Sequence, residues 1–277
     1  MVKTDSSGDV FAAFGSSGLW EYTNGNWMRL STSTATALTI DSNGNLFAGF
    51  GSAGFWKYMN GNWTRLSVST AEVSQTDSNG NVFVSFKGEG VWEYTSGNWM
   101  RLSTSNADSI TIDSNGNLFA SFRSAGLWEY VHGNWMRISD STALVVKADD
   151  SGDLFVSFKG EGLWEYTSGN WMRLSTSIAD SITIDSNGNL FAGFGSIGFW
   201  EYTNGNWTRL SDSTAQVADV DSNGNVYVSF KGDGLWDYTS TGWHQVSQSQ
   251  ATIITPNTSG DVFVALQDKG LYEISSS

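Results

Sequence analysis

The 277-residue chain has no cysteine, one proline (Pro256) and two histidines, His132 and His244. Without cysteine there is no disulfide framework, no thiol nucleophile and no thiolate-held zinc. Basic residues are scarce: 14 Lys and Arg stand against 28 Asp and Glu, a formal net charge of −14. That field repels phosphate backbones and anionic lipid surfaces, so neither nucleic acid nor a membrane is an expected partner. No apolar run approaches the length of a membrane-spanning helix. Residues 1–20 contain no continuous apolar stretch, so no signal peptide is expected there. Both a cytoplasmic location and secretion after processing stay open.

Aromatic residues and glycine are plentiful: 14 Trp, 9 Tyr, 16 Phe and 31 Gly. With 39% hydrophobic residues the chain can bury a large core. Its organisation follows from a repeat. The string DSNGN starts at Asp41, Asp77, Asp113, Asp185 and Asp221, with variants at Asp5 (DSSGD), Asp149 (DDSGD) and Asn257 (NTSGD). Every step is 36 residues. Eight full copies need 8 × 36 = 288 residues, 11 more than the 277 present.

One copy reads as four short strands, named a to d. Ala37 to Ile40 alternates up to Asp41, and Asn43-Gly44 signals a type I′ hairpin. Leu46 to Phe50 is strand b, Gly51 to Gly54 a turn, and Phe55 to Tyr58 strand c. Asn60-Gly61 marks a second tight hairpin before strand d, Trp63 to Ser67. No window shows helical periodicity. Four antiparallel strands per copy predict an all-β fold: a β-propeller of eight four-stranded blades, one domain over residues 1–277. A β-solenoid, the other repeat architecture, uses parallel strands and fewer Asn-Gly hairpins. Strand d recurs only seven times, so the last blade is expected to lack its outer strand, with closure resting on blade 8 against blade 1. The edge at Gly270 to Ile274 is then open, and open edges favour dimerisation.

The b–c loop alternates in type, which supports an even number of blades: GSSG at 15–18, GSAG at 51–54, KGEG at 87–90 and RSAG at 123–126. It continues as KGEG at 159–162, GSIG at 195–198, KGDG at 231–234 and QDKG at 267–270. Residues 81–116 and 153–188 are nearly the same text, which suggests a duplicated unit of two blades, 72 residues.

The pattern GLWEY-x-x-GNW-x-RL after DSNGNLFA, as at Asp113, Gly116, Asn117, Leu118, Gly126, Leu127, Trp128, Tyr130 and Trp135, resembles the regulator-propeller repeat of bacterial sensor ectodomains. It is more loosely similar to NHL-type and WD-type blades, and in its Trp-rich composition to propeller lectins. The resemblance implies the fold and little about function.

Three sets of side chains are candidates for ligand binding. With Asn24-Gly25 as a two-residue turn, Tyr22 pairs with Trp27 and Trp20 with Arg29, on one face of the sheet. The strand-c tryptophans of this set are Trp20, Trp56, Trp92, Trp128, Trp164 and Trp200. Their arginine partners are Arg29, Arg65, Arg101, Arg137, Arg173 and Arg209. An indole with a planar donor beside it suits a saccharide ring; the plain alternative is packing between blades. The strand-d tryptophans Trp27, Trp63, Trp99, Trp135, Trp171 and Trp207 form the second set. The third is the loop charges Lys87, Glu89, Lys159 and Glu161, which read equally well as solvated turns.

The DSNGN turns resemble the first half of a calcium loop, but no distal bidentate Glu follows. A turn capped by its own Asp or Asn is the simpler reading. Neither a metal nor another cofactor is expected. The two histidines are single departures from the repeat, and near-identical copies do not assemble the unlike groups that catalysis requires. The expected function is non-catalytic, multivalent ligand binding, with carbohydrate the leading ligand class. A protein-interaction or sensor-type scaffold, and a recently amplified fold without a selected ligand, are the alternatives.

Overall fold

The structure, a computed structural model, describes residues 1–267 and 269–275; Asp268 of the QDKG loop lies outside them. The chain is all-β and forms the eight blades of a β-propeller fold. Among the described residues seven sheets have four strands in the order a-b-c-d, and the last has three. Blade 2 is representative, with strands Ala37–Ile40, Leu46–Gly49, Phe55–Met59 and Asn62–Ser67. Among the described residues blade 8 has three strands, Ala251–Pro256, Val262–Leu266 and Gly270–Ile274, as the residue arithmetic predicts. The chain divides into two compact units, Met1–Thr142 with blades 1–4 and Ala143–Ser277 with blades 5–8.

Strand b is buried on both faces, as Val82–Phe86 shows along its whole length. That is why its text is a continuous apolar run rather than an alternation. Within each unit, neighbouring blades share an apolar cluster. Between blades 2 and 3, Phe47, Phe55, Val82, Val84 and Phe86 pack together, with Trp92 and Trp99 against them. Equivalent clusters join blades 5 and 6 and blades 6 and 7. A 36-residue blade therefore has no core of its own and is stable only between neighbours.

The suggested two-blade unit is visible in the hydrogen bonds. The buried Ser85 hydroxyl of blade 3 accepts the Ala107 N–H that leads into blade 4, at 3.0 Å. Ser157 does the same for Ala179 at 2.9 Å, and Ser229 for Ala251 at 2.8 Å. Blades 3, 5 and 7 thus hold blades 4, 6 and 8. Their KGEG and KGDG loops are tight turns, whereas the loops of blades 1, 2, 4 and 6 form short 3₁₀ turns, such as Gly51–Ala53. The alternation of loop type holds across blades 2 to 7 and fails at blade 1.

Two turns show why glycine is needed. The c–d hairpin is the expected type I′, with φ +50° at Asn24 and +77° at Gly25. The DSNGN turn is not. Only Gly44 has positive φ there, Gly44 N–H donates to Asp41 O, and Asp41 N–H donates to Asn45 O. This is a type I turn with a left-handed glycine. The reason is Asp41, whose Oδ1 accepts the N–H groups of Asn43 and Asn45 at 3.0 and 2.9 Å. Its Oδ2 accepts the Asn45 side-chain amide at 2.8 Å. The Asx cap holds Asn43 at negative φ and overrides the Asn-Gly preference.

Candidate functional site

The short Asn-Gly loop sets the register of each c–d hairpin, and the register sets the candidate patch. Tyr22 lies opposite Trp27 and Trp20 opposite Arg29, as expected. The same pairs recur for Trp56 and Arg65, Trp92 and Arg101, Trp128 and Arg137, Trp164 and Arg173, and Trp200 and Arg209. In five blades the guanidinium lies over the indole, 5.6 to 5.8 Å from the ring centre. These indoles are half-buried and the arginines exposed.

Each strand-c indole N–H donates to a carbonyl of its own b–c loop. Trp56 reaches Ala53 O at 2.9 Å and Trp92 reaches Glu89 O at 3.3 Å. The N–H thus fixes the ring against the loop and leaves the ring surface and the guanidinium outward. Beside Trp92 lies a concavity of about 170 Å³ lined by Trp92, Trp99, Phe86, Glu89 and Ser67. Glu89 is held there by the Ser69 hydroxyl, which donates to Oε1 at 2.7 Å. Lys87, Lys159 and Glu161 sit at exposed loop tips.

The strand-d tryptophans are placed differently. The Trp63 indole N–H donates to Leu30 O of the preceding blade at 3.2 Å. Trp99 reaches Leu66 O at 3.2 Å, Trp135 Leu102 O at 2.9 Å, and Trp207 Leu174 O at 3.0 Å. Each ring also packs edge-on to the Phe ending strand b, as Phe50 to Trp63 at 5.3 Å, and tilts against its strand-c Tyr, at 5.0 Å for Tyr58. Trp171 has the same two ring neighbours within its blade, Phe158 at 5.3 Å and Tyr166 at 4.8 Å. Trp27 is 40% exposed and contacts Phe14 and Tyr22. Trp63, Trp99, Trp135 and Trp207 therefore tie each blade to the one before it, and the strand-c series faces outward.

A feature that the sequence reading missed lies beside the DSNGN turns. Grooves form between the turn of one blade and the c–d hairpin of the next. One, of about 370 Å³, is lined by Asp5, Asp9, Glu21, Asn45, Tyr58 and Asn60 among others. Another, of about 480 Å³, is lined by Asp185, Glu201 and Tyr238. Burial, and then the nearby Asp9 and Asp5, push the Glu21 carboxyl above its ordinary range. Burial and then turn aspartates do the same to Glu93, Glu165 and Glu201. Tyr58 is raised by burial and by Glu21, and Tyr130 by burial and by Glu93. The sequence trace is the Glu between Trp and Tyr in strand c, whose neighbouring carboxylates come from the a–b turn of its own blade. Among the described residues no group of three or more His, Asp or Glu is arranged to hold a metal ion.

These raised carboxyls predict a pH effect. A carboxyl raised in the folded state binds more protons folded than unfolded just above its ordinary range, so its charge opposes folding at neutral pH and not in acid. Glu165→Gln is expected to raise the melting temperature at pH 7. The gain should vanish as the pH falls below the ordinary carboxylate range, because wild type is then protonated too. A gain that persists at low pH contradicts this.

No protein-family model matches the sequence, and no characterised protein matches it by sequence. Solved structures match by fold. Virginiamycin B lyase from Staphylococcus aureus superposes with a TM-score of 0.63 at 11% identity, covering 88% of this chain and 95% of that one. The GH74 enzyme of Niastella koreensis gives 0.65 at 16%, covering 99% of this chain and 58% of that one. The β-propeller domain of Cps50 (Swd1) from Myceliophteria thermophila gives 0.59 at 10%, covering 100% and 96%. At such identities the likeness is one of fold. It defines the class, a β-propeller, and leaves the ligand to the residues themselves.

Proposed function

We propose that the protein is a non-catalytic, multivalent binding propeller and that its ligand is carbohydrate. The observation that carries this reading is the repetition of one outward patch, a half-exposed indole with a guanidinium over it, in five blades. A saccharide ring presents C–H groups to aromatic surface and hydroxyls to planar donors and carboxylates; the concavity offers Trp92, Trp99 and Glu89, and Arg101 lies over the Trp92 ring. Each site is shallow and weak, and repetition supplies avidity. Near-identical blades give equivalent sites rather than the unlike acid and base of a hydrolytic centre. The exposed Lys87, Glu89, Lys159 and Glu161 loops favour a second reading, a protein-interaction scaffold.

A glycan-array screen followed by calorimetry tests the first reading. The expected result is a hit with more than one sugar bound per chain. Trp92→Ala with Arg101→Ala should then lower the stoichiometry by one site and leave the remaining affinity unchanged. A single large partner per chain, lost on Lys87→Glu and Lys159→Glu, would instead establish the scaffold. A folded protein with no hit on the array counts against carbohydrate.

A further inference from the structure

The c–d hairpin of blade 7 departs from those of blades 1 to 6 at four side chains together. Asp237 stands where they carry Glu or Lys57, Thr241 where they carry Gly, His244 where they carry Met or Thr, and Gln245 where they carry Arg. The turn changes with them. In the six other hairpins both loop residues have positive φ, as at Asn204 (+50°) and Gly205 (+80°). In blade 7 positive φ moves one residue on, to Gly242 at +106°. The loop is then a type I turn closed by a glycine bulge, and position 241 takes an ordinary φ that admits a side chain. The hydroxyl placed there joins a chain of polar groups. Thr241 Oγ1 lies 3.3 Å from His244 Nε2. His244 Nδ1 lies 3.2 Å from Asp237 Oδ1, directly across the hairpin. A carboxylate only accepts, so in the neutral ring Nδ1 carries the proton and Nε2 accepts. The Thr241 N–H donates to Thr239 Oγ1 at 3.2 Å, and the Thr239 hydroxyl donates in turn to Thr241 Oγ1 at 2.8 Å. The Thr241 proton is left for Nε2. Exposure rises along the chain: the Asp237 side chain is 21% exposed, that of His244 52%, and Thr241 stands at the tip.

We propose that Thr241 is a covalent modification site, an acyl acceptor for activated carboxylic esters, with His244 as its base and Asp237 positioning the ring. A hydroxyl is a weak nucleophile until a base takes its proton as it attacks, and an acid behind the imidazole holds the ring and steadies its charge. Thr241 Oγ1 bonds to the carbonyl carbon of the ester while its proton passes to His244 Nε2. The bond from that carbon to the leaving oxygen then breaks, and the leaving group takes the proton from Nε2. The products are O-acyl-Thr241 and a free alcohol or phenol, with His244 neutral again. Both ring contacts lie at the long end of the hydrogen-bond range, and such contacts tighten when the reacting group binds. The donor has a place to sit, because Thr241 and Gly242 also line the groove of about 480 Å³ with Tyr238, Asp185 and Glu201. Those carboxyls and a net charge of −14 favour a neutral donor over an anionic one. The chemistry is separate from the indole and guanidinium patches. Blade 7 has no arginine at that position, and its Gln245 amide donates to Asp233 O at 2.9 Å.

The experiment treats the intact protein with p-nitrophenyl acetate, follows p-nitrophenol release and locates the acetyl group by peptide mass mapping. The expected result is a burst of about one equivalent per chain, with the acetyl on Thr241. Hydroxylamine should remove it, since it cleaves esters and spares lysine amides. Thr241→Val should abolish the burst, and His244→Gln should slow it about a hundredfold. Asp237→Asn should slow acylation while Thr241 still becomes fully modified, and Asp237→Glu should recover most of the rate. Melting curves show that each variant is folded, and mapping of the wild type does not depend on any of them. An acetyl group found only on lysines or the amino terminus overturns the proposal. So does an unchanged rate at Thr241 in His244→Gln. A burst that persists in Thr241→Val also overturns it, and would make His244 the nucleophile.

Discussion

Gly162→Ala should lower stability by about 2–4 kcal/mol, read as a shift of the urea midpoint, whereas Gly160→Ala two residues earlier should cost about 1 kcal/mol. Both glycines have positive φ, +93° at Gly162 and +80° at Gly160. Their surroundings differ. A Cβ on Gly160 meets nothing within 4 Å, so only the backbone preference is lost. A Cβ on Gly162 would stand 2.2 Å from the carbonyl oxygen of Ser175 on strand d. That oxygen belongs to backbone and cannot rotate away, so strands c and d must separate at the point where the register shifts between Leu163 and Trp164. The same approach recurs at Gly18, Gly54, Gly90, Gly126, Gly198 and Gly234, with Cβ distances of 2.0 to 2.2 Å. Equal losses for Gly160→Ala and Gly162→Ala would contradict the argument.

Trp99→Ala is expected to cost about 3–5 kcal/mol, and Trp99→Phe about 1–2 kcal/mol. The indole packs against Phe86 at 5.3 Å, Tyr94 at 5.0 Å and Phe55 of the preceding blade at 6.3 Å. Its N–H donates to Leu66 O. Alanine removes the packing and leaves a cavity between blades 2 and 3. Phenylalanine keeps much of the ring and loses the hydrogen bond, leaving a partly buried carbonyl without that donor. Trp27→Ala should cost less, because that ring is 40% exposed. Guanidinium titrations of the three variants give the order directly. A Trp27→Ala loss as large as that of Trp99→Ala would mean that the exposed ring carries a load its surroundings do not show.

The legible parts of this protein are local. The 36-residue period, the strand boundaries and the missing last strand follow from turn residues at fixed offsets, because each turn is decided within a few residues. The pairing of Trp20 with Arg29 follows from a two-residue loop, because period-2 alternation leaves no freedom once the loop is set. One local reading erred. Asn43-Gly44 was expected as a type I′ turn, and the Asp41 carboxylate, two residues before Asn43, selects the other turn. The signal was present in the Asp that starts every DSNGN copy.

The nonlocal parts were not legible. Whether a tryptophan faces outward or wedges between blades depends on a carbonyl 33 residues away, such as Leu66 O for Trp99. Both tryptophan series have similar neighbours in sequence, so no local pattern separates them. The acidic grooves are likewise built from a turn of one blade and a hairpin of the next. The sequence by itself determined the blade, its repetition and its register, since these rest on backbone preferences and two-fold alternation. Only the tertiary structure decided which aromatic rings are glue and which are surface, because burial is a property of two blades together and each blade alone has no inside.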